Sequence, residues 1–296
     1  GKEQRITYEE NRELDFAISA QLPSLEPKKK FQIHRFRLNA FFQRSTPAMV
    51  GRVLQDHIPT PEELNLPPIL STLMHQKQGL ILVTGPTGSG KSTTLASLLN
   101  EVNKKQCKHI ITIEDPIEYI YENISCFIEQ RELGRDTFSF ARGLRAAMRQ
   151  APNIILVGEL RDTETIATAI TAAETGHLVL ATLHANNTVQ TVERIVDSFP
   201  AEQQNQVRQQ FSNIITGVVA QRLLPRLDGK GRIAAFEIMI GTPPVQALIR
   251  ENKTHQLLSV LETSGALGMT TMRNSLDQLC ANGEVSEEDV AAYRAL

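Results

Sequence analysis

The chain has 296 residues, enough for one large or two medium domains, and its 41% hydrophobic and 22% charged content is that of an ordinary globular protein. No apolar run is long enough to span a bilayer, and a net charge of −2 argues against a protein-wide nucleic-acid footprint. Three scattered cysteines with no C-x-x-C pair indicate neither a zinc site nor a disulfide framework. Cys107, Cys126 and Cys280 are expected as buried or half-buried thiols in a reducing cytoplasm, and the opening residues carry no signal sequence.

Residues 1–59 form a first unit. Phe36, Leu38, Ala40 and Phe42 alternate with Arg37 and Asn39, which predicts a strand with one apolar face. Ala48 to Leu54 is a second run, containing Arg52, and the turn residues Gln43 to Pro47 make a β-hairpin of the two. Lys28-Lys29-Lys30 reads as a solvated loop. Four prolines between Ile58 and Pro68 mark a stiff linker, 60–68, with room for one helical turn. The larger unit, 69–296, opens with a helix from Ile69 to Gln76 and the apolar run Leu80 to Thr84, a buried strand.

The next eight residues, Gly85-Pro86-Thr87-Gly88-Ser89-Gly90-Lys91-Ser92, fit G-x-x-x-x-G-K-S/T. A helix follows, with Leu95, Leu98, Leu99 and Val102 at helical spacing. Backbone N–H groups of such a loop and of the helix start converge on one spot and attract phosphate. Lys91 is placed to reach the β- and γ-phosphates, and the Ser92 hydroxyl to ligate Mg²⁺. The whole loop, with Thr93 after it, is the candidate nucleoside triphosphate site. A chance glycine turn is the bland alternative, and the match in strand-loop-helix context leaves it little room.

Two further strands end in carboxylates. His109 to Ile113 leads into Glu114-Asp115-Pro116, and Asn153 to Val157 leads into Gly158-Glu159. Irregular or edge structure is expected from Ile117 to Phe127, and an Arg-rich helix from Phe138 to Gln150. Asp162 caps a helix from Thr163 to Thr175, ended by Gly176. The strand Leu178 to Leu183 lies between His177 and His184, whose odd offset puts them on opposite faces. His184, at the carboxyl end, is the one placed to sense a γ-phosphate. Strands alternating with helices imply an α/β domain with a parallel sheet covered on both faces. Thr188 caps a helix to Ser198, a long helix is expected from Ala201 to Leu224, and Asp228 to Gly231 turns into the strand Arg232 to Ile240. Short helices fill 243–296.

A hydrolytic phosphate-loop enzyme needs a Mg²⁺ holder and a base that orients water. Glu114 is assigned as the base and Glu159 as the Mg²⁺-side carboxylate, with the swapped assignment left open.

These motifs resemble those of the type II/IV secretion ATPases. The glycine loop, Ile113 to Tyr119, Gly158 to Asp162, and Thr175-Gly176-His177 through His184 match the Walker A, Asp-box, Walker B and His-box motifs in order and spacing. Leu248 to Glu251 and Gly268-Met269 are similar to carboxy-terminal motifs of the pilus-retraction ATPases of the PilT and PilU type. The run Arg52 to Pro59 is closer in length to PilU, and Leu248 to Glu251 closer to PilT, so the subtype stays open. The resemblance covers nearly the whole chain. It implies a PAS-like α+β amino-terminal domain, incomplete here because its first strands are absent from the sequence, followed by a RecA-like ATPase domain. It implies an ATP- and Mg²⁺-dependent homohexamer at the cytoplasmic base of a type IV pilus, driving retraction and working with the inner-membrane platform protein. Neither direct nucleic-acid contact nor membrane insertion is expected. In that family, amino-terminal arginines reach the nucleotide, and Arg37 and Arg52, fifteen apart, match the spacing. His177 joins the nucleotide-binding set through the His box. Pilus-assembly and secretion ATPases usually carry a four-cysteine insert after the His box; here Cys280 alone lies beyond His184. A nucleic-acid translocase on the same sheet is the remote alternative, and the charge does not favour it.

Overall fold

A computed structural model describes residues 2–23, 31–55 and 57–294 of the chain. Lys28-Lys29-Lys30 lies outside the described residues. The amino-terminal unit begins with α1 (Lys2–Asn11) and continues into a three-stranded antiparallel sheet of β1 (Glu13–Pro23), β2 (Phe31–Gln43) and β3 (Thr46–Leu54). The predicted hairpin is β2–β3. Arg44 and Ser45 turn it in left-handed conformation (φ 48° and 62°), the geometry a two-residue hairpin loop demands. Alternation puts Phe36, Leu38 and Phe42 on one face, and α1 covers part of it: the Tyr8 ring stacks on Phe42 at 5.1 Å. The opposite face carries Arg35, Arg37 and, paired in register with Arg37, Arg52.

Residues 60–68 are ordered. Thr60 and Glu63 bond reciprocally, backbone to side chain, and Leu66 is buried under the second unit. After α2 (Pro68–Leu73) come β4 (Gly79–Thr84), α3 (Lys91–Lys105), β5 (His109–Glu114), β6 (Phe127–Glu132), α4 (Phe140–Ala147), β7 (Ile154–Val157), α5 (Thr163–Glu174) and β8 (Leu178–Leu183). Then follow α6 (Thr188–Asp197), α7 (Ala201–Ile214), β9 (Ile215–Pro225), β10 (Arg232–Ile240), α8 (Pro243–Arg250), α9 (Leu257–Thr263), α10 (Met272–Ala281) and α11 (Glu287–Arg294). The seven-stranded sheet has the order β10-β9-β4-β8-β7-β5-β6, and every neighbouring pair is parallel except β9–β10.

Both faces of the sheet are buried, so its strands read as continuous apolar runs. Leu80, Leu82, Ile111, Ile113, Val179 and Ala181 pack under α4 to α9 on one side. Their alternates, among them Ile81, Val83, Ile110, Leu178 and Leu180, pack under α2 and α3 on the other. A third cluster joins Leu224, Ile233 and Ala235 of the β9–β10 pair to Leu276 and Val290 of α10 and α11.

Several expectations are corrected. The helix expected from Ala201 to Leu224 stops at Ile214, and Ile215 to Pro225 is β9. Its buried place between β4 and β10 selects apolar residues on both faces, which erases the two-residue period that marks a strand. Strand β6 begins where the irregular or edge structure expected from Ile117 to Phe127 ends, and its polar residues belong to a half-buried edge of the sheet. Asn187, not Thr188, caps α6. The Thr188 amide and hydroxyl instead both donate to the buried Glu237 carboxylate (2.8 Å each), whose other oxygen accepts from the Met272 amide (3.3 Å) at the start of α10. Cys107 is exposed, whereas Cys126 is buried and Cys280 half-buried as expected. Asp162 does cap α5, accepting from the Thr165 amide at 2.8 Å.

Candidate active site

Because β4, β5, β7 and β8 run parallel, their carboxyl ends share one edge of the sheet. That edge collects the glycine loop after β4, Glu114 at the end of β5, Glu159 after β7 and His184 after β8. Open α/β sheets bind ligands there.

The loop leads into α3 through Gly90, which has a left-handed backbone (φ 89°), and no side chain caps the helix. The first amides of α3 are therefore free to meet an anion. At Gly85 (φ 146°) a Cβ would stand 2.4 Å from the Gln221 carbonyl oxygen, so only glycine fits. Lys91 is buried, and its ammonium donates to the Gly85 and Pro86 carbonyl oxygens at 2.9 and 3.0 Å. Burial pushes that ammonium below its ordinary pKa, against the raising effect of the Glu159 and Glu118 charges. The Ser92 side chain is exposed at the mouth of the cleft. Thr93 and Tyr119 share a hydroxyl–hydroxyl bond of 3.0 Å. At the root of the loop, the Thr84 hydroxyl donates to the Leu183 carbonyl and accepts from the Ala185 amide, both at 2.9 Å, which ties the loop to the His184 segment.

The two carboxylates differ. Glu114 Oε1 accepts from the Thr112 hydroxyl (2.6 Å) and from the Gln130 side-chain amide (3.2 Å). Burial raises its pKa from the ordinary glutamate value, partly offset by those two bonds. A desolvated carboxylate facing the cleft is a stronger base. Glu159 is held from both sides: Arg161 Nε donates to Oε2 at 2.7 Å, and His184 Nε2 lies 3.3 Å from Oε1. Arg161 also donates to Asp115 at 3.0 Å, so one guanidinium bridges the tips of β5 and β7.

The amino-terminal sheet closes the cleft. Arg37 and Arg52 line a cavity of about 780 Å³ together with Lys91, Glu114, Glu159 and His184. Arg37 donates to Asp15 at 2.6 Å and lies 3.6 Å from Glu118. His177 is not brought to this cleft. It sits at the other end of β8, its ring against the Ala172 carbonyl at 2.9 Å, roughly 20 Å of strand away at ~3.3 Å per residue. His-box spacing joined the two histidines, but a strand carries its ends to opposite edges of the sheet.

The donor set fits Mg²⁺. That ion takes one or two protein oxygens and completes its shell with water and substrate phosphates. Here the exposed Ser92 hydroxyl and the Glu159 carboxylate line one cleft beside an uncapped helix start.

Three contributors carry no sequence signal of their own. Arg161 stands inside the Walker B-like run, where its residue type assigns it no role. Gln130 lies on β6, whose polar residues give no strand pattern. Gln221, buried beneath the loop and accepting from the Thr94 hydroxyl at 2.8 Å, lies on the strand taken for a helix.

Residues 60–230 match the family described as type II/IV secretion system protein. A twitching motility protein of Neisseria gonorrhoeae is 48% identical over 96% of this chain and 74% of its own. The type IV pilus retraction ATPase PilT of Pseudomonas aeruginosa is 46% identical over 97% of this chain and 80% of its own. The crystal structure of a pilus retraction motor PilT with bound ADP superposes with a TM-score of 0.86 at 46% identity, covering 98% of this chain and 80% of that one.

Proposed function

The chain belongs to the type II/IV secretion system protein family, and from that membership we propose that it is a hexameric ATPase motor that hydrolyses ATP to drive type IV pilus retraction. The observation that carries this reading is the cleft itself: a phosphate loop, two carboxylate strand tips and two arginines of a separate domain line one cavity. A static nucleotide-binding scaffold has no need of the last two.

In the reaction, the loop amides and Lys91 hold the β- and γ-phosphates, and Lys91 exchanges its bonds to Gly85 and Pro86 for phosphate oxygens. Ser92 and Glu159 would hold Mg²⁺, which when bound would supply charge neutralisation at those oxygens. Glu114 orients the attacking water and takes its proton. Arg37 and Arg52 stabilise charge on the transferring phosphoryl group, and His184 reports its loss to Glu159. ATP turnover is thereby coupled to the placement of the amino-terminal sheet, and a ring of such sheets converts hydrolysis into movement. No helix among the described residues is long and apolar enough to cross a membrane. The motor acts from the cytoplasm, against the inner-membrane platform protein of the pilus machine.

Phosphate release by the purified protein, with and without DNA, tests the enzyme; stimulation by DNA would favour a translocase. Deleting the gene and imaging surface pili tests the role. Excess pili that do not retract are expected, and bald cells would point to assembly instead.

A further inference from the structure

Arg35 lies on β2, two residues before Arg37 and on the same face of the amino-terminal sheet. Its guanidinium donates to two backbone carbonyls of the other domain, Ile117 at 2.8 Å and Glu118 at 2.9 Å. These acceptors are neutral, so the link is one of geometry more than of charge. They belong to the irregular stretch that follows Glu114. Besides the Thr93–Tyr119 hydroxyl bond and the longer Arg37–Glu118 pair, that stretch is fastened toward β6: the Ile117 amide donates to Glu132 (3.2 Å), the Tyr121 amide donates to Gln130 Oε1 (3.0 Å), and the Gln130 side-chain nitrogen donates to the Tyr119 carbonyl (2.8 Å).

Gln130 is the junction. Its two N–H groups go to the Tyr119 carbonyl and to Glu114 Oε1, and its oxygen takes the Tyr121 amide. A primary amide has two donors, so this one has none to spare. It cannot follow a shift of residues 117–121 without loosening its hold on Glu114.

We propose that Arg35 is a positioning residue, which ties the seating of the amino-terminal sheet to the Glu114 carboxylate through residues 117–121 and Gln130. The inference rests on the ATPase reading above, with Glu114 as base. Hydrolysis then runs fast when the sheet is seated and slows when it lifts, whether or not Arg37 and Arg52 reach the nucleotide.

The test uses the whole assembled protein with Mg²⁺-ATP, comparing Arg35→Ala, Arg35→Lys, Gln130→Ala and the Arg35→Ala/Gln130→Ala pair. Arg35→Ala is expected to lower kcat about tenfold or more while leaving nucleotide affinity within about twofold, because geometry at the reacting centre is lost and binding is not. Lysine, with no planar fork, spans one carbonyl and not both, and gives an intermediate kcat. The double variant is expected to be no slower than Gln130→Ala, since the two act in series. Hydrogen exchange at the Ile117 and Tyr121 amides speeds up in Arg35→Ala. Unchanged exchange at both amides overturns the proposal whatever turnover does, and so does wild-type kcat or an additive double variant. Should Arg35→Ala fail to fold, Arg35→Lys carries the same measurements. A wild-type protein without turnover refutes the ATPase reading instead, and the exchange measurement still decides the coupling.

Discussion

Replacing Arg37 by alanine separates catalysis from packing, because the two readings of this side chain differ by several kcal/mol. As a packing residue, Arg37 makes an ion pair with Asp15 at 2.6 Å and a longer one with Glu118 at 3.6 Å, with its side chain 33% exposed. Such screened pairs contribute about 0–1 kcal/mol. In a unit as small as the amino-terminal one that moves its melting temperature by at most about 8 °C. As an arginine that stabilises the phosphoryl group in the transition state, it contributes about 10³–10⁵ in rate. That is about 4–7 kcal/mol at 1.36 kcal/mol per decade. Steady-state ATPase rates and nucleotide-free melting curves of Arg37→Ala are therefore expected to disagree: turnover collapses while stability falls by about 1 kcal/mol at most. Asp15→Ala is the control, since it removes the ion-pair partner and leaves the guanidinium in the cleft; it is expected to retain turnover. Arg52→Ala should behave as Arg37→Ala. Wild-type turnover in Arg37→Ala, at concentrations where rings form, refutes the catalytic reading. So does an equal loss in Asp15→Ala, which would trace the effect to the pair.

Lys91→Ala is expected to lower turnover about 10²–10³-fold or more and to weaken nucleotide binding in equilibrium dialysis; full activity would overturn the site assignment. Glu114→Gln keeps an acceptor for Thr112 and Gln130 but loses the base, so it should bind Mg²⁺-ATP and turn over about 10²–10⁴-fold more slowly, while Glu159→Gln should change the Mg²⁺ dependence. If Glu159→Gln traps ATP and Glu114→Gln turns over normally, the two roles are reversed. Burial raises the folded-state pKa of Glu114, so its stabilising contribution is present in full below the unfolded value and is lost as pH rises through the raised one. The melting temperature of Glu114→Gln relative to wild type should thus climb from acid to neutral pH, and a falling difference contradicts the burial argument. Gly85→Ala combines a glycine-only backbone with a clash against the Gln221 carbonyl and should cost about 3 kcal/mol or more in denaturant unfolding. Gly88→Ala meets open space and should cost about 1–2 kcal/mol; equal losses would refute the steric account.

The parts of the site written in contiguous residues were legible in the sequence. The glycine loop, the tips at Glu114 and Glu159, and His184 each end or follow a largely apolar strand, and parallel pairing then gathers them without further information. What escaped was carried by residues whose surroundings are tertiary. Gln221 reads as helix surface until β9 is known to lie beside β4, under the loop. Gln130 sits on an edge strand whose half-buried face admits charged residues, so FIEQRE has no strand signature. Arg161 owes its importance to Asp115, which is far from it in sequence and 3.0 Å away in space. The hairpin of β2 and β3 was readable from alternation and turn residues, but not that its arginine face would meet the cleft, since a charged face is ordinarily a solvated one.

The carboxylate of Glu237 holds the first turns of α6 and α10 in one grip, and α6 starts four residues after His184. A spring placed between the cleft and the carboxy-terminal helices would have to stretch this buried, fully bonded junction before it could flex. The helices from 243 onward are packed on that same sheet, α8 and α9 in its main core and α10 and α11 against the β9–β10 pair. The carboxy-terminal helices and the cleft are thus built on one sheet, which is the arrangement that a motor pulling against a load requires.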